Sequence, residues 1–142
     1  MSQDSSAWKL EHTIPSERSE GCRILEELME RFEAQDWSSR DLFGIRLALE
    51  EAIVNAIKHG NCQDINKHVH VICHSSAEKI WIMISDEGAG FKPEEVPDCT
   101  NADRLEVPSG RGILLMRNYM SHVEYNQTGN VVVMEKLRKS SC

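Results

Sequence analysis

No two cysteines in this chain are spaced for chelation or for a redox pair. The five present (Cys22, Cys62, Cys73, Cys99, Cys142) are scattered, odd in number and never C-x-x-C. Free thiols in a reducing cytosol are the economical reading. Long apolar runs are also missing. The longest, such as Ile80-Trp81-Ile82-Met83-Ile84, is far too short to span a bilayer. The stretch from Met1 to Trp8 has no basic region followed by an apolar one, so it does not read as a secretory leader, and a cytoplasmic protein is expected. Positive charge is scarce: the formal net charge is -7. That acidity repels phosphate backbones and argues against a nucleic-acid binder. Any bound polyphosphate then needs local help from a metal ion, backbone amides or placed basic residues. No internal repeat or low-complexity block is present.

What is there suits one soluble domain over residues 1–142: 40% hydrophobic and 27% charged residues, with length enough for a core without staples. Trp8 to Ile14 alternates as an edge strand. Ser16 or Ser19 is placed to cap a helix to about Gln35, with Cys22, Leu25, Leu28, Met29 and Phe32 on its core stripe. Ser38 or Ser39 caps a second helix, Asp41 to about Lys58, ended by Gly60-Asn61. Strands are expected at Lys67 to His74 and Lys79 to Ser85. A third helix follows from Ile113 to about Met120, then a hairpin of His122 to Gln127 and Val131 to Leu137. Helices that do not alternate singly with strands exclude a doubly wound sheet. The pattern predicts an α/β (α+β) two-layer sandwich, a mixed or antiparallel sheet of about five strands with three helices on one face.

On the second helix, Leu42, Ile45, Leu49, Ala52, Ile53 and Ala56 share one arc at about 100° per residue. Glu51 and Asn55 lie outside it, one turn apart, and His59 continues their line. Such a column reads blandly as a solvated helix face. Yet Asn55 is a mediocre helix former in a helix interior. An amide oxygen is a hard ligand suited to Mg²⁺, and a carboxylate one turn away can accept a hydroxyl proton.

Two glycine motifs follow. Asp86-x-Gly88-x-Gly90 comes directly after an apolar strand, where a fixed carboxylate can accept from the exocyclic amine of adenine. It lacks the third glycine and the helix that a dinucleotide-binding turn requires, so that reading is rejected. Gly110-Arg111-Gly112 opens a helix whose free amides suit a phosphate chain, with Arg111 adding charge. Between them runs a polar, proline-bearing stretch of roughly eighteen residues, a length typical of lids and binding loops.

Together these segments are recognisable. Glu51-Ala52-Ile53-Val54-Asn55-Ala56 resembles the N box of the GHKL ATPase superfamily (gyrase, Hsp90, histidine kinase and MutL ATP-binding domains). Asp86-Glu87-Gly88-Ala89-Gly90-Phe91 resembles its first glycine box, and Ser109-Gly110-Arg111-Gly112-Ile113 its second. The stand-alone length and the phrase Asn55-Ala56-Ile57-Lys58-His59-Gly60-Asn61 are most similar to the anti-sigma-factor serine/threonine kinases. The resemblance implies a Bergerat ATP-binding fold, ATP and Mg²⁺ as cofactors, and likeness to a kinase that sequesters a sigma factor and phosphorylates a STAS-type antagonist, working as a homodimer without nucleic acid or membrane. It implies Glu51 as general base, Asn55 as metal ligand and Asp86 as adenine acceptor. Lys58, His59, Gly88, Gly90, Phe91, Ser109, Gly110, Arg111 and Gly112 complete the nucleotide pocket. Some members carry an arginine just before the Ser-Gly pair; here Pro108 stands there, with Arg111 and Arg104 as candidate substitutes.

Four other readings fit parts of the same sequence. A histidine-kinase catalytic domain needs an upstream helical hairpin, and a gyrase- or MutL-type ATPase needs a second domain. A non-catalytic module would hold a partner without transferring phosphate. Finally, His68, His70 and His74 share one strand face near His59 and Cys62, a pattern compatible with zinc, although a solvated or interfacial face fits better.

Overall fold

The computed structural model describes residues 7–61, 64, 66–88, 116–126 and 130–138, with backbone alone at 59 and 60. In chain order it contains β1 (Trp8–Pro15), α1 (Arg18–Ala34) and α2 (Ser39–Val54), the last continuing as a π-helical turn, Asn55–Gly60. Strands β2 (His68–Ser75), β3 (Lys79–Asp86), β4 (His122–Tyr125) and β5 (Val131–Leu137) follow, with a helical segment at 116–119 before β4. The sheet runs β1-β2-β3-β5-β4. All four pairings are antiparallel, which decides between the two sheet types left open by the sequence.

Period-two alternation builds the sheet. Val69, Val71 and Cys73 of β2 and Ile80, Ile82 and Ile84 of β3 are buried, together with Leu10, Ile14, Val132 and Met134. They meet both helices and Met116 and Met120 in one core, so the helices lie on one face as expected. Burial pushes the Cys73 thiol up to about 12, which makes it an inert packing group.

The helix ends differ from expectation in instructive ways. Ser38 does cap α2, accepting from the Asp41 N–H at 3.1 Å. Ser16 and Ser19 do not cap α1; Glu17 holds that position without a side-chain bond. Ser16 is instead buried, donating to the Lys67 carbonyl at 2.8 Å. The core stripe of α1 is Gly21, Ile24, Leu25, Leu28, Met29 and Phe32, while Cys22 is exposed. The shift has a steric cause. A Cβ on Gly21 would stand 2.9 Å from both Ile53 Cγ2 and Ile57 Cδ1, so α1 crosses α2 at the one residue lacking a side chain. Helix α1 ends at Ala34 with Gln35 as its C-cap, and Asp36, at a φ of 61°, turns the chain away. The Arg138 guanidinium donates to the Gln35 carbonyl at 2.7 Å and the Asp36 carbonyl at 3.1 Å. The same group lies 4.2 Å from the Trp37 ring centroid.

The 116–119 segment is seated on the start of α2. Tyr119 meets Phe43 edge-on, with centroids 5.9 Å apart, and Lys136 Nζ donates to the Tyr119 carbonyl at 2.6 Å. Gly44 lies under the Tyr119 ring, where a Cβ would come within 2.7 Å of Cδ1 and 2.9 Å of Cβ. Gly44→Ala therefore sets a helix-propensity gain of about 1 kcal/mol against an overpacking cost of about 1–3 kcal/mol. A contact on Tyr119 Cβ cannot be relieved by a rotamer change alone, so overpacking wins. Thermal unfolding should show a melting temperature lower by about 2–5 °C; a rise would overturn this packing argument.

Candidate functional site

Asn55 and Asp86 come together from the end of α2 and the end of β3. They line a narrow cleft with Ala52, Tyr125, Asn130 and Val132. The helical wheel put Asn55 on an open flank, but the residue is only 4% exposed. The wheel accounts for helix against sheet; it does not account for the β4–β5 hairpin, which brings Tyr125 and Val132 over that flank. Burial pushes the Tyr125 phenol up to about 12, against the neighbouring Asn55 side chain, which pulls it down. Asn55 Nδ2 makes no well-formed hydrogen bond among the described residues. A buried donor left unmatched at a cleft favours an acceptor-rich ligand, such as phosphate oxygens or ordered water.

Asp86 is held on both sides. Its N–H donates to the Asn130 carbonyl at 2.9 Å, and its Oδ1 accepts from the Gly88 N–H at 2.8 Å. Burial pushes its carboxyl up to about 6, against the Gly88 N–H and the Lys67 charge, which pull it down.

Glu51 is not among the described residues that line this cleft. It lines a groove of about 390 Å³ between α1 and α2, floored by Leu25, Ile53 and Ile57 and rimmed by Arg18, Glu50 and Lys58. The polar column thus divides, with Asn55 on one side and Glu51 and Lys58 on the other. The two sides remain in electrostatic contact, since the Glu51 charge raises the Tyr125 phenol. Burial first, and Glu50 second, hold the Glu51 carboxyl above its ordinary value. The side chain of His59, and Gly90, Phe91, Ser109, Gly110, Arg111 and Gly112, lie outside the described residues.

Tyr125 lines the cleft and Asn61 is fully buried, and the sequence announces neither. Tyr125 shows only as an aromatic at a short strand's end, and Asn61 only as a helix stop. The histidine row of β2 sits on the outer sheet face. His68 Nδ1 and His70 Nε2 lie 3.7 and 3.9 Å from the Glu87 carboxylate, and His74 packs on Trp81. Among the described residues no group of three or more His, Cys, Asp or Glu could hold a metal ion. No described helix is long and apolar enough to cross a membrane.

The profile of the histidine kinase-like ATPase domain matches residues 15–136. The anti-sigma F factor of Geobacillus stearothermophilus is 30% identical over 135 residues, covering 92% of each chain. That of Clostridium perfringens is 31% identical over 135 residues, 90% of this chain and 94% of its own. The serine/threonine-protein kinase BtrW of Bordetella bronchiseptica is 27% identical over 93 residues, and the match spans 64% of this chain and 66% of BtrW, just under two thirds of it. With a family profile covering most of its length and relatives of this kind aligned across nine tenths of it, the chain belongs to the histidine kinase-like (GHKL) ATPases, in the group of the anti-sigma-factor serine/threonine kinases.

Proposed function

We propose that this protein is a Mg-ATP-dependent serine/threonine kinase that also acts as an anti-sigma factor, binding a sigma factor and phosphorylating a STAS-type antagonist of that binding. The observation that carries the reading is the cleft where Asn55, an amide with an unmatched buried donor, meets Asp86, a half-buried carboxyl at a strand end. That pairing suits a ligand with an amine at one end and anionic oxygens at the other. Asn55 Oδ1 would hold Mg²⁺, which when bound neutralises phosphate charge. Asp86 would accept from the adenine amine. Glu51 would take the proton from the partner's hydroxyl, and the groove it lines between α1 and α2 offers the partner segment a place to approach. A homodimer is part of the proposal; the outer sheet face, where Ile72, Trp81, Met83 and Val133 are only half-buried, offers an apolar surface for it.

Pro108, standing where some relatives place an arginine, favours a second reading: a module that switches partners by binding alone. Incubation with γ-labelled ATP and a candidate antagonist separates the two. Label on a serine or threonine of the antagonist is expected. Sigma-factor binding without any transferred label would replace the kinase with the binder.

The acidity of Asp86 gives a pH test. Its folded pKa lies above the unfolded value, so the stability it contributes is present below the ordinary aspartate range and is lost as pH rises through about 6. Accepting a hydrogen bond from adenine requires the carboxylate, so nucleotide binding has the opposite trend. Calorimetry should show Mg-ATP affinity several-fold higher at pH 7.5 than at pH 5.5, with the difference removed by Asp86→Asn. A wild-type profile flat across that range would exclude Asp86 as the acceptor.

A further inference from the structure

Asn61 is fully buried, and every hydrogen-bonding group of its side chain is used. Its Nδ2 donates to Ser16 Oγ at 2.7 Å and to the His68 carbonyl at 2.9 Å. Its Oδ1 accepts from the Glu87 N–H at 2.8 Å. Its own N–H donates to the Ala56 carbonyl at 2.9 Å, closing the π-helical turn that starts at Asn55. Glu87 completes a ring, because its carboxylate accepts from the His68 N–H at 2.8 Å. One amide therefore ties together the start of α1, the end of the helix bearing Asn55, the start of β2 and the residue after Asp86. A buried side chain with a partner on every donor and acceptor fixes geometry more firmly than packing alone.

The consequence falls on Asp86. The peptide before it is held by Asn130 and the peptide after it by Asn61. With the backbone fixed on both sides and its Oδ1 accepting from the Gly88 N–H at 2.8 Å, the Asp86 carboxylate has little freedom to swing away from what is placed before it. Adenine presents an amine donor to it, whereas guanine presents a carbonyl oxygen, which a fixed carboxylate repels. A carboxylate free to swing discriminates less, since it can avoid the repulsive contact. We propose that Asn61 is a positioning residue that, by holding the Glu87 peptide, sets the preference of this site for adenine over guanine nucleotides. The inference rests on the reading of Asp86 as the adenine acceptor.

The test measures Mg-ATP affinity and the competing affinity of Mg-GTP on the full chain, with circular dichroism to confirm folding. Asp86→Asn should collapse the ATP-to-GTP affinity ratio, and Asn61→Ala should lower it about tenfold. Asn61→Asp keeps an acceptor for the Glu87 N–H while losing the amide donors, and should retain most of the ratio. A purely structural role in the donors would make Asp as harmful as Ala, and would weaken both nucleotides equally. If Asn61→Ala does not fold, Ser16→Ala, which removes one anchor of the amide, should lower the ratio a few-fold. A folded Asn61→Ala, or in its place Ser16→Ala, with an unchanged ratio overturns the inference while a collapsed ratio in Asp86→Asn leaves the adenine reading standing. An unchanged ratio in Asp86→Asn overturns that reading, and the inference with it.

Discussion

Asn55→Ala should abolish detectable Mg-ATP binding while leaving the apo fold nearly as stable as before. The two halves of this expectation have one origin. Asn55 is buried, but its Nδ2 has no well-formed partner among the described residues, so truncation forfeits little hydrogen bonding. What disappears is the amide oxygen assigned to Mg²⁺, and with it the charge neutralisation that lets a triphosphate sit in a protein of net charge -7. In the wild type, Mg-ATP at a hundred times its dissociation constant stabilises by about 2.7 kcal/mol. For a domain of this size that raises the melting temperature by roughly 10 °C. In Asn55→Ala the rise should vanish and calorimetry should detect no heat of binding. A wild-type shift would remove Asn55 from the metal site.

Replacing Glu51 should do the reverse. Its carboxyl lies in the α1–α2 groove, apart from the Asn55–Asp86 cleft, and burial raises its pKa. A raised carboxyl is a stronger base once deprotonated, which is what accepting a hydroxyl proton requires. Glu51→Ala should therefore lower phosphoryl transfer by about 10²–10⁴-fold with ATP affinity unchanged or slightly improved, since a negative charge near the triphosphate is removed. In the wild type, transfer should fall on acidification at a pH above the ordinary glutamate range. Single-turnover transfer and equilibrium binding separate the effects. Retained transfer would discard the base assignment, and a parallel loss of affinity would recast Glu51 as a binding group.

These two residues also show how far sequence reasoning reached. Alternation located β1, β2, β3 and β5, because each buries one face and leaves the other half-open, and the turn before Val131 located β4, whose residues alternate exposed and half-buried. The 3.6-residue period located both long helices for the same reason. Periodicity is blind to what a third element adds. It placed Asn55 beside Glu51 on an open flank because nothing in the helix itself announces that Tyr125 and Val132 will cover one of the two. It assigned Cys22 to the α1 stripe because hydropathy counts a thiol and ignores a glycine; close approach of two helices selected Gly21. Ser16 looked like a cap and is a buried partner of Asn61, a contact across 45 residues that no local rule contains.

The strand order β1-β2-β3-β5-β4 has a consequence for biosynthesis. The strand made last among those described is not added at the rim; it slots between two made earlier. Until Val131–Leu137 leaves the ribosome, the growing chain shows the whole free side of Lys79–Ser85, a row of amides and carbonyls alongside three isoleucines. Such a bare template invites pairing with a neighbouring nascent chain. Pairing with β5 is what covers that edge.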